Sequence, residues 1–219
     1  MTPLVAYCVM PTAMAGHVPE TLDKWKARGY RLALFADLGK SAPRADILIT
    51  AKYPGVWNAC NAAAKAAFAL DADVCVFAGD DMDPDPNFTA QEIAAQYLER
   101  FPSGFGLMQP CGDPQGVDAG GKPAAARICG SAWFGRRWVA EAYGGRGPTP
   151  GYYWHFYGDE DMAQYAERLG VMWWRPDLQQ FHRHWSWGHN KKQDYHEKNQ
   201  AHWNADQETF RGRKEAGFP

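Results

Sequence analysis

The chain has 219 residues, 46% of them hydrophobic, and a formal net charge of −2. That length supports one well-packed α/β domain and leaves little room for a second, and the near-neutral charge excludes the global basic field of a dedicated nucleic-acid or membrane-surface binder. The five cysteines are scattered without a C-x-x-C pair, which speaks against a disulfide framework and for a reducing compartment. With no signal peptide and no apolar run near the roughly 18 residues of a membrane span, a cytoplasmic protein is expected.

In chain order, Leu4 to Met10 is an apolar strand candidate ending at Pro11-Thr12. Pro19 to Arg28 is expected to be a helix stopped by Gly29. Arg31 to Ala36 and Asp46 to Thr50 are the next strands, and the Ala-rich stretch Asn58 to Leu70, free of Gly and Pro, is a helix. A further buried strand starts at Val74. This β-α-β-β-α-β order predicts a mostly parallel sheet covered by helices. Thr89 to Arg100 is a helix with a capping-box pattern, Thr89 followed three residues later by Glu92. Regularity weakens after Phe101. Gly104 to Gln109, Arg127 to Phe134 and Val171 to Arg175 are strand candidates; Arg136 to Tyr143 and Asp159 to Leu169 are helix candidates. Gly112 to Lys122 and Gly144 to Gly151 are loops, and the segment after Arg175 is rich in His and Trp, then polar.

Three constellations carry chemistry. The strand Val74-Cys-Val-Phe77 empties into Asp80, Asp81, Asp83 and Asp85. Carboxylates this crowded repel one another unless a cation sits among them, and hard divalent ions favour carboxylate oxygen. At a strand end such a loop suits a metal that in turn holds a phosphate; as a plain alternative, Asp and Pro are common turn residues. The second constellation, Gly158-Asp-Glu-Asp161, opens a helix, where acids also serve the helix dipole. In the third, Phe181-His-Arg-His-Trp-Ser-Trp-Gly-His189, an extended backbone puts His182 and His184 on one side, which lets one of them complete a site begun by carboxylates. His196-Glu197 is not a zinc-protease motif, because position 200 is Gln. Of the ten tryptophans, eight lie from Trp133 onward; they suit core packing or a stacking wall for sugars or bases.

Together these residues resemble a GT-A glycosyltransferase of the family 2-like group, across most of the chain. The resemblance implies a GT-A-like three-layer α/β sandwich in one domain, with a nucleotide-binding half (1–100) and an acceptor half (101–219). It further implies transfer of a sugar from a nucleotide diphosphate, a UDP-sugar first, to a hydroxyl acceptor in the presence of Mn2+ or Mg2+. Pro11 and Thr12 match the start of the donor site, Asp37 the base contact after strand two, and Tyr53, Trp57 and Asn61 the helix start over base and ribose. Asp81 matches the final, metal-binding Asp of D-x-D; Gly79 occupies the first Asp position, so Asp80 takes its role or touches the ribose. His182 or His184 would complete the metal shell, and Arg127, with Arg136, Arg137 and Lys122, would contact diphosphate or acceptor. Asp161 would be the catalytic base with Glu160 orienting or substituting for it, and a single displacement would invert the anomeric centre. Tyr153, Trp154 and Trp185 would form the acceptor wall. The acceptor could be a glycan or a modified DNA base, the chain's small size being shared with virus-encoded transferases of this kind. A nucleotidyltransferase and a non-catalytic sugar-binding module are the alternatives.

Overall fold

The computed structural model describes residues 3–112, 128–185 and 194–219. Its elements are β1 (Ala6–Thr12), α1 (Val18–Ala27), β2 (Arg31–Ala36), β3 (Ile47–Thr50), α2 (Val56–Leu70), β4 (Val74–Phe77), β5 (Met82–Asp83), α3 (Ala90–Arg100), β6 (Leu107–Pro110), β7 (Trp133–Gly135), α4 (Arg136–Glu141), α5 (Gly158–Arg168), β8 (Met172–Arg175), β9 (Phe181–His182), α6 (Asp194–Gln200) and α7 (Trp203–Ala216).

A seven-stranded sheet in the order β3-β2-β1-β4-β7-β6-β8 forms the centre. Among the described residues its pairings are parallel except those of β7, which runs against both β4 and β6. The central strands are buried on both faces, which is why β1, β2 and β4 read as unbroken apolar runs rather than alternating ones. Side chains nevertheless alternate between two hydrophobic clusters. Tyr7 and Val9 of β1 face the cluster built with α2, α4 and α5; Ala6, Cys8 and Met10 face the one built with α1 and α3. The mixed α/β architecture with a mostly parallel sheet therefore matches the expectation.

Local chemistry explains the element ends. Thr89 accepts from Glu92 N, and Glu92 returns a bond to the Thr89 backbone, completing the capping box at the start of α3. Of the strand expected from Arg127 to Phe134 the described residues form Trp133–Gly135, with Ala132 O still accepting from Phe77 N of β4 and Ser131 N drawn away to the Gln109 side chain. The segment expected to be an irregular tail contains β9, α6 and α7. Most of the Gly112 to Lys122 loop, together with Lys122 and Arg127, lies outside the described residues. Among the described residues no helix is long and apolar enough to cross a membrane.

The chain leaves β1 for β2 and β3 on one side, then returns through α2 to place β4 on the other side of β1. The carboxyl ends of β1 and β4 thus flank a topological switch point, the crevice where open α/β sheets bind ligands.

Candidate active site

Thr12, the last residue of β1, donates its hydroxyl to Asp80 Oδ2 at 2.8 Å, and Ala13 N reaches the same oxygen at 3.1 Å. This ties the two strand ends across the switch point. Burial first, and then the neighbouring Asp81 charge, push the Asp80 carboxyl up, against the hydrogen bonds from Thr12 and Ala13.

Asp81 points elsewhere. Residues Met82 and Asp83 continue as β5 and pair antiparallel with His182 and Phe181 of β9. The ribbon carries His182 Nε2 to 3.2 Å from Asp81 Oδ2, while Arg183 N donates to Asp81 O at 2.8 Å. Burial raises the Asp81 carboxyl, yet its bond to His182 and the proximity of His184 outweigh this and hold it below the usual carboxylate range. The His184 ring lies 5.1 Å from that of His182, and burial, then His182, lower its pKa to about 4. Gly79 has a steric reason: a Cβ there would lie 2.8 Å from Asp81 Oδ1.

Asp83 and Asp85 serve structure. Asp83 takes Lys24 at 2.8 Å and Arg183 at 3.1 Å. Asp85 closes the turn by accepting from Asn87 N and Phe88 N, and it tethers Gln179 N.

The rim at the end of β2 is aromatic. Asp37 accepts from Tyr53 N at 3.0 Å. The Tyr53 ring packs edge-on against Phe35 and Trp154, and Trp154 stacks on His202 with centroids 4.5 Å apart. Burial, with Asp80 and Asp37 nearby, raises the Tyr53 hydroxyl; burial, with Asp80 and Asp81 nearby, does the same for Tyr195 of α6. Trp185 leans on His184 and His196, with centroids at 5.5 and 5.4 Å. These contacts bring Asp37, Tyr53, Asp80, Asp81, Trp154, His182, His184 and Trp185 to one region of the molecule.

Five expected site residues are used differently. Asp161 is 0% exposed; its carboxylate accepts from Tyr143 Oη (3.1 Å), Tyr153 Oη (2.7 Å) and Arg213 Nε (2.6 Å). It is saturated and turned into the core, so the geometry corrects the assignment of Asp161 as base. Tyr153, only 2% exposed, is spent on that same carboxylate and is not an acceptor wall. Trp57, 3% exposed, donates to His155 O and packs under the start of α5, where a Cβ on Gly158 would lie 2.2 Å from its ring. Asn61 exchanges three hydrogen bonds with Thr149 and so pins the Gly/Pro loop rather than a ribose. Pro11 is buried within β1, opposite Phe35.

Asp159 and Glu160, in the first turn of α5, are half-buried. Burial, then the neighbouring Glu160, push the Asp159 carboxyl up to about 6, and His182 is near enough to oppose this electrostatically. Asp159 is thus an acid of this motif that lies outside the buried stripe and has a raised carboxyl. The signal was helical periodicity: Gly158, Asp161, Met162, Tyr165 and Ala166 form the buried stripe of α5, and Asp161 belongs to it while Asp159 and Glu160 do not. His155 had no such signal; burial, against the pull of Asp206, lowers its pKa to about 4.

Among the described residues no group of three or more His, Cys, Asp or Glu side chains is arranged to hold a metal ion. Asp81 and His182 are a two-donor pair. The carboxylate suits Mn2+ or Mg2+, whereas imidazole is more usual on Zn, Cu, Fe or Ni; Mg2+ sites commonly use one or two carboxylates, with phosphate oxygens and water supplying the rest. Comparison of the sequence with protein-family models and with curated proteins finds no match.

Proposed function

We propose that the protein is a metal-dependent glycosyltransferase that takes its sugar from a nucleotide diphosphate, a UDP-sugar first, on a GT-A-like fold. One observation carries this reading: Asp81 and His182, 101 residues apart in sequence, meet at the switch point of a mostly parallel sheet with Asp159 close by.

Asp81 and His182 fit a divalent ion, Mn2+ or Mg2+, with His184 as the adjacent donor; when bound, such an ion neutralises charge on a departing diphosphate. Thr12 and Asp80 shape the floor beneath the phosphates. Asp37, Tyr53 and Trp154 form the rim that suits a nucleoside, and Trp185 suits the sugar or acceptor side. Asp159 is the base and Glu160 its neighbour. An acceptor hydroxyl gives its proton to the Asp159 carboxylate, and its oxygen bonds to the anomeric carbon. The bond from that carbon to the diphosphate breaks, with the electron pair leaving on the nucleotide. A carboxyl pushed up to about 6 remains mostly ionised at neutral pH and is a better proton acceptor than an ordinary Asp. One displacement inverts the anomeric centre.

Calorimetry with UDP, with and without Mn2+, tests this reading. UDP affinity that rises with Mn2+ and loses the rise in Asp81→Asn, at an unchanged melting temperature, supports it. Sugar binding without any nucleotide affinity would indicate a binding module instead. Mass spectrometry of candidate acceptors with a panel of sugar nucleotides then identifies the product.

A further inference from the structure

The last helix holds two charged side chains that the proposed chemistry does not use. Asp206 and Arg213 are seven positions apart on α7, two turns and about 10 Å along one face. Asp206 is 4% exposed and collects three consecutive backbone donors, Trp154 N, His155 N and Phe156 N, each at 2.9 Å. Arg213 donates to both oxygens of Asp161, at 2.6 and 3.3 Å. Between these anchors Gln207 donates to Tyr157 Oη at 2.9 Å, and Phe210 stacks on the Tyr157 ring with centroids 5.2 Å apart. Tyr157 precedes α5 with a φ of 64°, a left-handed conformation that a bulky residue keeps only when its surroundings over-determine it. These grips of α7 fall on the aromatic loop carrying Trp154 and on the first turn of α5, the helix that carries Asp159 and Glu160.

We propose that Asp206 and Arg213 are positioning residues. Asp206 fixes the loop that presents Trp154, and Arg213, through Asp161, fixes the rotation of α5 and so the place of Asp159 against the Asp81–His182 pair. Neither touches substrate. The proposal rests on Asp159 as the base, and it gives α7 two tasks: Arg213 sets the geometry of transfer through α5, and Asp206 steadies the nucleoside rim through Trp154, while the ends of β1 and β4 take the phosphate side of the donor.

The experiment uses Arg213→Lys, which keeps the charge but loses the two-pronged bond, and Asp206→Asn, which keeps the shape but loses charge. Three quantities are measured: affinity for UDP with Mn2+, acceptor-free release of UDP from UDP-glucose, UDP-galactose and UDP-N-acetylglucosamine, and amide hydrogen exchange. The expected result for Arg213→Lys is a fall in kcat of about 100-fold, the scale of a misplacement near 1 Å, with UDP–Mn2+ affinity within about twofold of the unaltered chain on the same argument; Asp206→Asn, which frees Trp154 of the nucleoside rim, should lower kcat and weaken UDP binding together. Exchange should quicken at residues 154–161 and stay unchanged in β1 and β4. If either variant fails to fold, the other carries the test. An unchanged kcat in a folded variant overturns the proposal, and so does a parallel loss of UDP affinity in Arg213→Lys with faster exchange throughout, which marks a merely structural role. Failure of the unaltered chain to bind UDP, or retained UDP release in Asp159→Asn, overturns the underlying reading instead and is seen without either α7 variant.

Discussion

Replacing Asp161 by Asn keeps the size of the side chain and removes the charge that Arg213 and two tyrosines share. The carboxylate is 0% and the Arg213 side chain 12% exposed, so solvent does little to compensate either partner once the other is gone. Removing one member of a buried pair typically costs about 3–5 kcal/mol, because it leaves a desolvated charge without its counter-ion. For a chain of this length each kcal/mol lowers the melting temperature by roughly 2–4 °C, so a drop of about 10 °C is expected. That loss is a large part of the roughly 5–15 kcal/mol that holds an ordinary domain together. Thermal unfolding followed by circular dichroism, with UDP–Mn2+ affinity measured on the same preparation well below the transition, decides the matter. An Asp161→Asn chain that melts within about 1 °C of the unaltered one yet loses transfer completely would refute this reasoning. The charge would then serve catalysis rather than packing.

For Asp159, the raised carboxyl gives opposite trends in rate and stability. Its pKa of about 6 lies above the ordinary Asp value of about 3.9, so the folded state holds more protons between the two, and this group's contribution to stability falls as pH rises from about 4 to 6. Transfer needs the ionised base and therefore climbs across the same window, and Asp159→Asn removes the climb in a rate profile. Gly79→Ala presses a methyl against Asp81 Oδ1 and should abolish the Mn2+-dependent gain in UDP affinity while leaving metal-free binding in place, as calorimetry will report. Thr89→Ala breaks the capping box of α3 at a cost of about 1 kcal/mol; urea unfolding should show that loss, and UDP affinity should not change.

The N-terminal half of the fold was legible because its cues are local. Apolar runs, an Ala-rich helix and the Thr89–Glu92 cap each announce an element within a dozen residues. The acidic loop stood out for the same reason, since strand-then-carboxylate is a contiguous pattern. Roles within a motif were harder. Gly158-Asp-Glu-Asp161 offers three acids in a row, and only the helical stripe through Met162 and Tyr165 tells which one turns inward. Asn61 and Trp57 resemble ligand-facing residues until Thr149 and Gly158 are seen to occupy them. The C-terminal helices were hidden because α7 docks through polar anchors, Asp206 and Arg213, which an apolar-stripe search reads as solvent-facing. The β5–β9 ribbon, two residues long on each side, falls below any periodicity.

That ribbon also bears on how the chain folds. Bringing His182 to Asp81 closes a loop of 101 residues, and such closure carries an entropic cost that two residue pairs recover poorly by themselves. The ribbon therefore forms after the sheet and the helices on either side have condensed, and the Asp81–His182 pair is among the last contacts made. Chains released before residue 182 contain every strand from β1 to β4 and still lack half of the pair. In the finished protein a ligand bridging Asp81 and His182, as proposed, would act as a latch on this ribbon, slowing its local opening.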